Sequence, residues 1–326
     1  MFSLLSKSAL RLLARSGPRL SIVLFHHVMS EPDALLTSEP DRARFVQQLR
    51  WLKSSFQILP LRDALARLAE DRLPANALCV TFDDGYRDNA ENALPILTAL
   101  GISATFFITT RYLDGGLMWN DRVVEALRAW PSATLDLSPY ALADVSLRSG
   151  RAAALEQLLP VIKYLPYDRR EAVSADLFAR SGSRISRMMM SADEIRKLAR
   201  AGMEIGGHTV SHPLLCALDA TRAGREIADN KAQLEAIIGQ PLESFAYPNG
   251  KPFRDYNASH VAMLRACAYR YALSTSPGTA TRATSVYQLP RFTPWDRTQL
   301  KYLTRMLRNY RRDAEQVPET AAATAA

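Results

Sequence analysis

With 326 residues, 48% of them hydrophobic, the chain is long enough to bury a core as one large domain or two small ones. Its three cysteines, Cys79, Cys216 and Cys267, are too scattered for a disulfide framework or a Cys-x-x-Cys metal knuckle and read as buried free thiols. The net charge is +8, yet no nucleic-acid reader motif accompanies it, so nucleic acid is not an expected partner.

The first 30 residues carry Lys7, Arg11, Arg15 and Arg19 and no acid, with leucines between them at helical period. This predicts a basic amphipathic segment over 1–19. It either lies on an anionic membrane surface, packs on the body of the fold or acts as a transit peptide. It lacks the continuous apolar core of a secretory signal, and nowhere does the sequence offer the ~20 apolar residues that span a bilayer. The expected location is the cytoplasm or a membrane surface.

"SIVLFHHV" (21–28) reads as a buried strand, followed by helices over 42–54 and 61–70. "ALCVTFDD" (77–84) is the next strand. A helical pattern over 87–100 contains Pro95 and stops at Gly101, and "SATFFITT" (103–110) is a further strand. Residues 118–190 then break the rhythm with helical, partly basic sequence and no clear strand, an insertion expected to form a wall or lid. The alternation resumes with a strand in "MEIGGHTVSH" (203–212), a helix over 219–239, and strands in "ESFAYPNG" (243–250), "RYALSTS" (270–276) and "YQLPRF" (287–292). Helical patterns at 256–268 and 296–312 complete it. Arg297, Lys301, Arg305, Arg308 and Arg312 recur at helical spacing, either as a solvated face or as a surface for phospholipid or an acidic glycan. The tail 313–326 has little to bury and is expected to be disordered.

Strand–helix alternation of this kind predicts an α/β fold: a distorted (β/α) barrel of about seven parallel strands, related to the (β/α)8 type, spanning 20–312. In such barrels the active site lies where the strands end, and here the polar residues gather there. "TFDDGYRDN" (81–89) ends a buried strand on two adjacent carboxylates. A turn leading into a helix start would account for them. So would a site. Four of the five histidines stand in pairs near strand ends, and "HTVSH" sets His208 and His212 one helical turn apart. Two imidazoles and one carboxylate make a facial metal site with positions left for water and substrate. One aspartate would then complete that site while its neighbour takes a proton from water. Gly206 and Gly207 would permit a tight exit from the strand.

"TFDDG", "HTVSH" and "FAYPNG", in that order and at these spacings, resemble the polysaccharide deacetylases: carbohydrate esterase family 4, with its NodB-type homology domain. The resemblance covers about residues 20 to 295. "VLFHHV" ahead of "TFDDG" is most similar to the exopolysaccharide and capsule-cluster branch. The resemblance implies that Asp83 is the general base and that Asp84, His208 and His212 bind one divalent metal ion, usually zinc. It implies that Tyr247, Pro248 and Asn249 line the substrate groove, with the Tyr247 N–H helping to hold an oxyanion. The implied reaction removes an N-acetyl group from an amino sugar of a polysaccharide or lipid-linked glycan, through metal-bound water. An N-acetylated glycan is the implied partner.

Two features depart from the family pattern. Where relatives carry an arginine that orients the base, this chain has Ala246, and Arg291 in "LPRF" is the replacement candidate; a surface arginine is the other reading. The late Leu-x-His that supplies the acid is absent, and His26 or His27 is expected to substitute, with His27 nearer the strand's C-terminal end. Alternation along the strand would aim only one of them inward. Trp119 and Trp295 are candidates to stack on sugar rings, and His260 reads as structural. The competing interpretation is a catalytically impaired barrel that binds glycan or a partner in polysaccharide assembly. A metallopeptidase is disfavoured, because no glutamate follows the first histidine of the pair.

Overall fold

The computed structural model describes residues 17–185 and 187–319; most of the basic amphipathic segment, residues 1–16, lies outside them. The first elements in chain order are β1 (Ser21–Phe25), α1 (Arg42–Ser55), β2 (Gln57–Ile58), α2 (Leu61–Ala69), β3 (Ala77–Phe82), α3 (Leu94–Ala99) and β4 (Thr105–Ile108). The insertion follows, with α4 (Trp119–Ala129), β5 (Thr134–Leu135), β6 (Val145–Ser146), α5 (Arg151–Lys163) and α6 (Tyr167–Ser181). The chain returns to the sheet through α7 (Ala192–Arg200), β7 (Glu204–Gly207), α8 (Ala220–Ile238), β8 (Ser244–Ala246), α9 (Ala258–Ala266), β9 (Tyr271–Leu273) and α10 (Gln299–Tyr310).

Local chemistry sets several boundaries. Asp41 caps α1 by accepting from the Arg44 N–H, Ser191 and Glu194 form a reciprocal capping box on α7, and Gly239 ends α8 at φ +71°. The 87–100 helix tolerates Pro95 because a π turn over Asn89–Ala93 leads into α3, leaving the proline in the first α-helical turn.

The seven-stranded sheet is parallel throughout, ordered β1-β3-β4-β7-β8-β9 with β2 beside the start of β3. It curls into a half-barrel. The expected strand at 287–292 forms no ladder. Instead Leu289 bridges to Leu273 in β9 and Phe292 to Val23 in β1, so this segment spans the gap between the two edge strands.

Alternation along each strand divides the core in two. Val23, Phe25, Val80, Phe82, Ile108 and Phe245 face outward and are covered by helical residues such as Phe45, Leu49, Leu97 and Leu234. Ile22, Cys79, Phe107, Ala246, Leu273 and Leu289 face the concave side, which Leu61, Ala64 and Leu68 of α2 close where the strands begin. The inward register continues past each strand's end, and there it becomes polar.

The insertion packs around a core of its own, including Val123, Leu127, Leu155, Leu158 and Leu177. Contrary to expectation it contains strands: β5 and β6 form a small antiparallel pair. The tail expectation also fails for residues 313–319. Val317 is buried, its N–H donates to Gln288, and Glu319 pairs with Arg265.

Candidate active site

Asp83 continues the inward register of Cys79 and Thr81, and Arg291 meets it from the segment closing the half-barrel. The guanidinium donates Nη1 to Asp83 Oδ1 at 2.6 Å and Nη2 to Oδ2 at 2.7 Å, a bidentate pair buried on both sides. Its Nε donates to the Ser274 carbonyl at 3.0 Å, which fixes the fork against the sheet. Arg291 is therefore a buried partner of the aspartate, not a surface residue.

Asp84 turns the other way. Its φ of +75° is a left-handed conformation that costs an aspartate less than most residues, and the turn aims its carboxylate away from Asp83. Asp84 Oδ1 lies 3.4 Å from His208 Nε2 and 3.3 Å from His212 Nε2. His208 Nδ1 sits 2.7 Å from the Ala246 carbonyl oxygen, which can only accept, so the ring proton is there and the Nε2 lone pair faces Asp84. His208 is placed by β7, and its N–H donates to Asn230 of α8 at 3.0 Å. Gly206 and Gly207 serve close packing, not a special turn: a Cβ on Gly206 would lie 2.4 Å from Phe107, and one on Gly207 would lie 2.4 Å from the Tyr269 hydroxyl. The left-handed residues are Thr209 and His212, at φ +65° and +54°.

The three donor atoms lie within 4.8 Å of one another, and Asp84 Oδ1 is buried with no hydrogen-bond donor among the described residues. A buried carboxylate oxygen left this way fits a cation. Burial works against ionisation of Asp84, but the His212 and His208 interactions outweigh it and hold the carboxyl well below its usual range. His212 is pushed down to about 3, chiefly by burial, and so stands neutral near pH 7 with no proton to displace. Burial would also lower His208, but the Asp83 charge and the contact with Asp84 reverse that and raise it. Two imidazoles around one carboxylate thus call for a positive charge in their midst.

These residues line a cavity of about 640 Å3 at the strands' C-terminal ends. The insertion supplies one wall through Trp119, Asn120, Leu159 and Tyr164, as its expected role requires. Arg170 of α6 ties that wall to the histidine loop. It is buried, its guanidinium lies 5.2 Å over the Trp119 ring, and Nη2 reaches the His212 carbonyl at 3.5 Å.

His26 and His27 both border the cavity but differ in setting. The register of Ile22 and Leu24 carries His26 inward to the cavity. His27 turns aside: its Nδ1 is 2.7 Å from Asp88, and its ring stacks on Tyr86 at 3.6 Å. Burial opposes its charge, but Asp88, Glu39 and Asp121 prevail and raise it to about 9. Asp121 receives the Tyr86 hydroxyl at 3.0 Å and is itself pushed up to about 7 by burial. Sequence reasoning missed Tyr86, Asp88, Asp121 and Arg170. Two of them, Tyr86 and Asp88, lie inside "TFDDGYRDN" itself.

The groove expectation needs correction. Tyr247 is fully buried, stacks on Tyr256 at 3.8 Å, and donates its N–H to the Leu273 carbonyl at 3.0 Å. Neither its ring nor its N–H is free for substrate, so the oxyanion role does not hold. Pro248 is buried and does not border the cavity, whereas Asn249 does, at φ +60° with a buried side-chain nitrogen that has no partner. Trp119 lines the cavity, and Trp295 lies outside it. His260 caps α9 by accepting from the Asn257 N–H, a structural role.

A half-barrel of parallel strands carrying a paired aspartate beside an Asp-His-His cluster has the architecture of a hydrolase. The family model for polysaccharide deacetylase matches residues 70–134 and 161–272, and the chain belongs to that family of hydrolases, which deacetylate polysaccharides. A Bacillus subtilis (strain 168) protein, YxkH, named as a polysaccharide deacetylase, is 20% identical over 271 residues, which is 82% of this chain and 69% of that one. The fold is shared with the Streptococcus pyogenes deacetylase PplD, solved in complex with acetate. That match has a TM-score of 0.59 and 18% identity, and covers 89% of this chain and 99% of that one. IcaB from Ammonifex degensii is similar with a TM-score of 0.55 and 16% identity, covering 91% of this chain and 98% of that one. Among the described residues no helix is long and apolar enough to cross a membrane.

Proposed function

We propose that the protein hydrolyses the N-acetyl group of an amino sugar within a polysaccharide or lipid-linked glycan, releasing acetate and a free amine, with one divalent metal ion held by Asp84, His208 and His212. The mixed imidazole and carboxylate donor set favours zinc. When bound, the ion supplies Lewis acidity to the acetamide carbonyl and to the attacking water. Asp83 takes the proton from that water. Arg291 holds both of its oxygens, so the carboxylate keeps one orientation while its remaining lone pairs stay available. His26, which lines the cavity with Asp83 and Asp84, gives a proton to the departing nitrogen. His27, fastened to Asp88 and Tyr86, holds a protonated imidazolium behind it. Asn249, with its unpartnered amide, binds the sugar.

The observation that carries this reading is the Asp83–Arg291 pair. An impaired, purely binding barrel has no use for a base that is oriented by a buried arginine. Asp83→Asn should retain about one metal per chain by elemental analysis and lose about 10²- to 10⁴-fold in acetate release from β-linked N-acetylglucosamine oligomers. Full activity in that variant would end the mechanism, and loss of the metal would show that Asp83 is a ligand instead.

A further inference from the structure

A second groove of about 390 Å3 lies beside the catalytic cavity and against α10, with Thr275 and Thr293 lining both spaces. Arg291 borders this groove, but its charge is matched by Asp83. The other wall has no such balance. Arg308, in α10, and Arg312, just past it, are exposed and form no ion pair among the described residues. Two of the acids near them in the chain are already engaged, Asp296 accepting from Arg305 and Asp313 from Arg19 at 2.8 Å, and Glu315 forms no ion pair with either arginine. Trp295 lines the same groove, half exposed, with the Arg305 guanidinium 4.1 Å over its ring and Phe292 against it at 6.1 Å. The indole is thus clamped in one orientation.

We propose that this groove is a subsite for a negatively charged sugar in the same chain as the N-acetylated residue that enters the cavity. The inference rests on the deacetylase reading and narrows its substrate class to anionic glycans. A held aromatic ring offers an apolar face to the C–H face of a sugar. Two unpaired guanidiniums offer planar donor pairs to a carboxylate or phosphate. Adjacency to the cavity favours the substrate chain over a lipid surface as the occupant, because one extended molecule can reach both spaces and a flat bilayer cannot.

The test compares two tetramers: one of β-linked N-acetylglucosamine, the other alternating N-acetylglucosamine with glucuronate. Each is titrated calorimetrically into full-length metal-loaded Asp83→Asn protein, where binding is read without turnover. The acidic tetramer should bind about tenfold more tightly, a difference of about 1.4 kcal/mol. Adding Arg308→Glu and Arg312→Glu should bring the ratio of the two dissociation constants to about one, and Trp295→Ala should weaken the acidic tetramer. These sites are on the surface, and an unchanged melting temperature confirms folding. Equal affinities in the parent protein, or a preference that survives the charge reversals, would overturn the proposal. So would loss of binding to phosphatidylglycerol vesicles in the charge-reversed variant with no tetramer preference in the parent, which would assign the stripe to a membrane. Acetate release by the unsubstituted protein from either tetramer tests the underlying deacetylase reading separately.

Discussion

Arg291 reaches Asp83 from a distant part of the chain. No arginine stands at Ala246, and the one that pairs with Asp83 lies 208 positions beyond that aspartate. Sequence flagged the gap and offered a candidate, but only the curl of the sheet brings the two together. The pair is buried, so removing one partner leaves a charge without compensation. Arg291→Met should cost about 3–5 kcal/mol in urea denaturation, whereas Arg291→Lys should lose less stability and still impair turnover because the fork is gone. Equal stability for the methionine variant would mean that Asp83 is neutral in the fold. His27 makes a second residue-scale prediction. Its pKa rises from 6.5 unfolded to about 9 folded, so the imidazolium is bound more tightly in the native state. The stabilisation is fully present below pH 6.5 and fades as pH rises through about 9. It is on the order of 3 kcal/mol. Asp88→Asn should flatten the decline in melting temperature between pH 7 and 9.5, and an unaltered slope would remove the ion pair from the account.

Among the elements, helices such as those over 42–54, 61–70 and 219–239 were legible nearly to their ends from their period, whereas α7, capped by Ser191, went unread. Most strands were legible but shorter than their apolar runs, since the residues after Phe82, Gly207 and Ala246 leave the ladder to build the site, while β2 went unread and 287–292 forms only isolated bridges. The two-residue strands of the insertion carry no period and could not be read. Nor could the use of "FAYPNG": the motif pointed to substrate, yet Tyr247 faces outward into the helix-covered core, a consequence of its register beside Ala246. β7 carries the element-scale prediction. Gly207 is in contact with Asn230, whose Oδ1 would lie 2.7 Å from an added Cβ and also accepts the His208 N–H. Gly207→Ala should therefore cost about 1–3 kcal/mol by overpacking and weaken metal binding at the same time. A variant destabilised but with wild-type metal affinity would show that Asn230 does not position the histidine.

For the molecule as a whole, the Asp84, His208 and His212 cluster joins distant segments of the fold. Asp84 and His208 stand at the ends of neighbouring parts of the sheet, β3 and β7, with β4 between them. His212 is held by a loop that Arg170 ties to the insertion. Three segments therefore meet at one point where Asp84 Oδ1 has no donor, and without a cation that point carries a buried charge attracted only by the imidazoles. Binding to the native state alone adds about 2.7 kcal/mol at a hundredfold excess of metal over its dissociation constant. A chelator should lower the melting temperature of the native protein, and added Zn2+ should restore it. Asp84→Ala removes both the ligand and the unpaired carboxylate, so its melting temperature should respond to neither addition. A native protein indifferent to chelator and zinc would mean that the positive charge at this junction is a proton on His208, and the chemistry would have to be rebuilt around it.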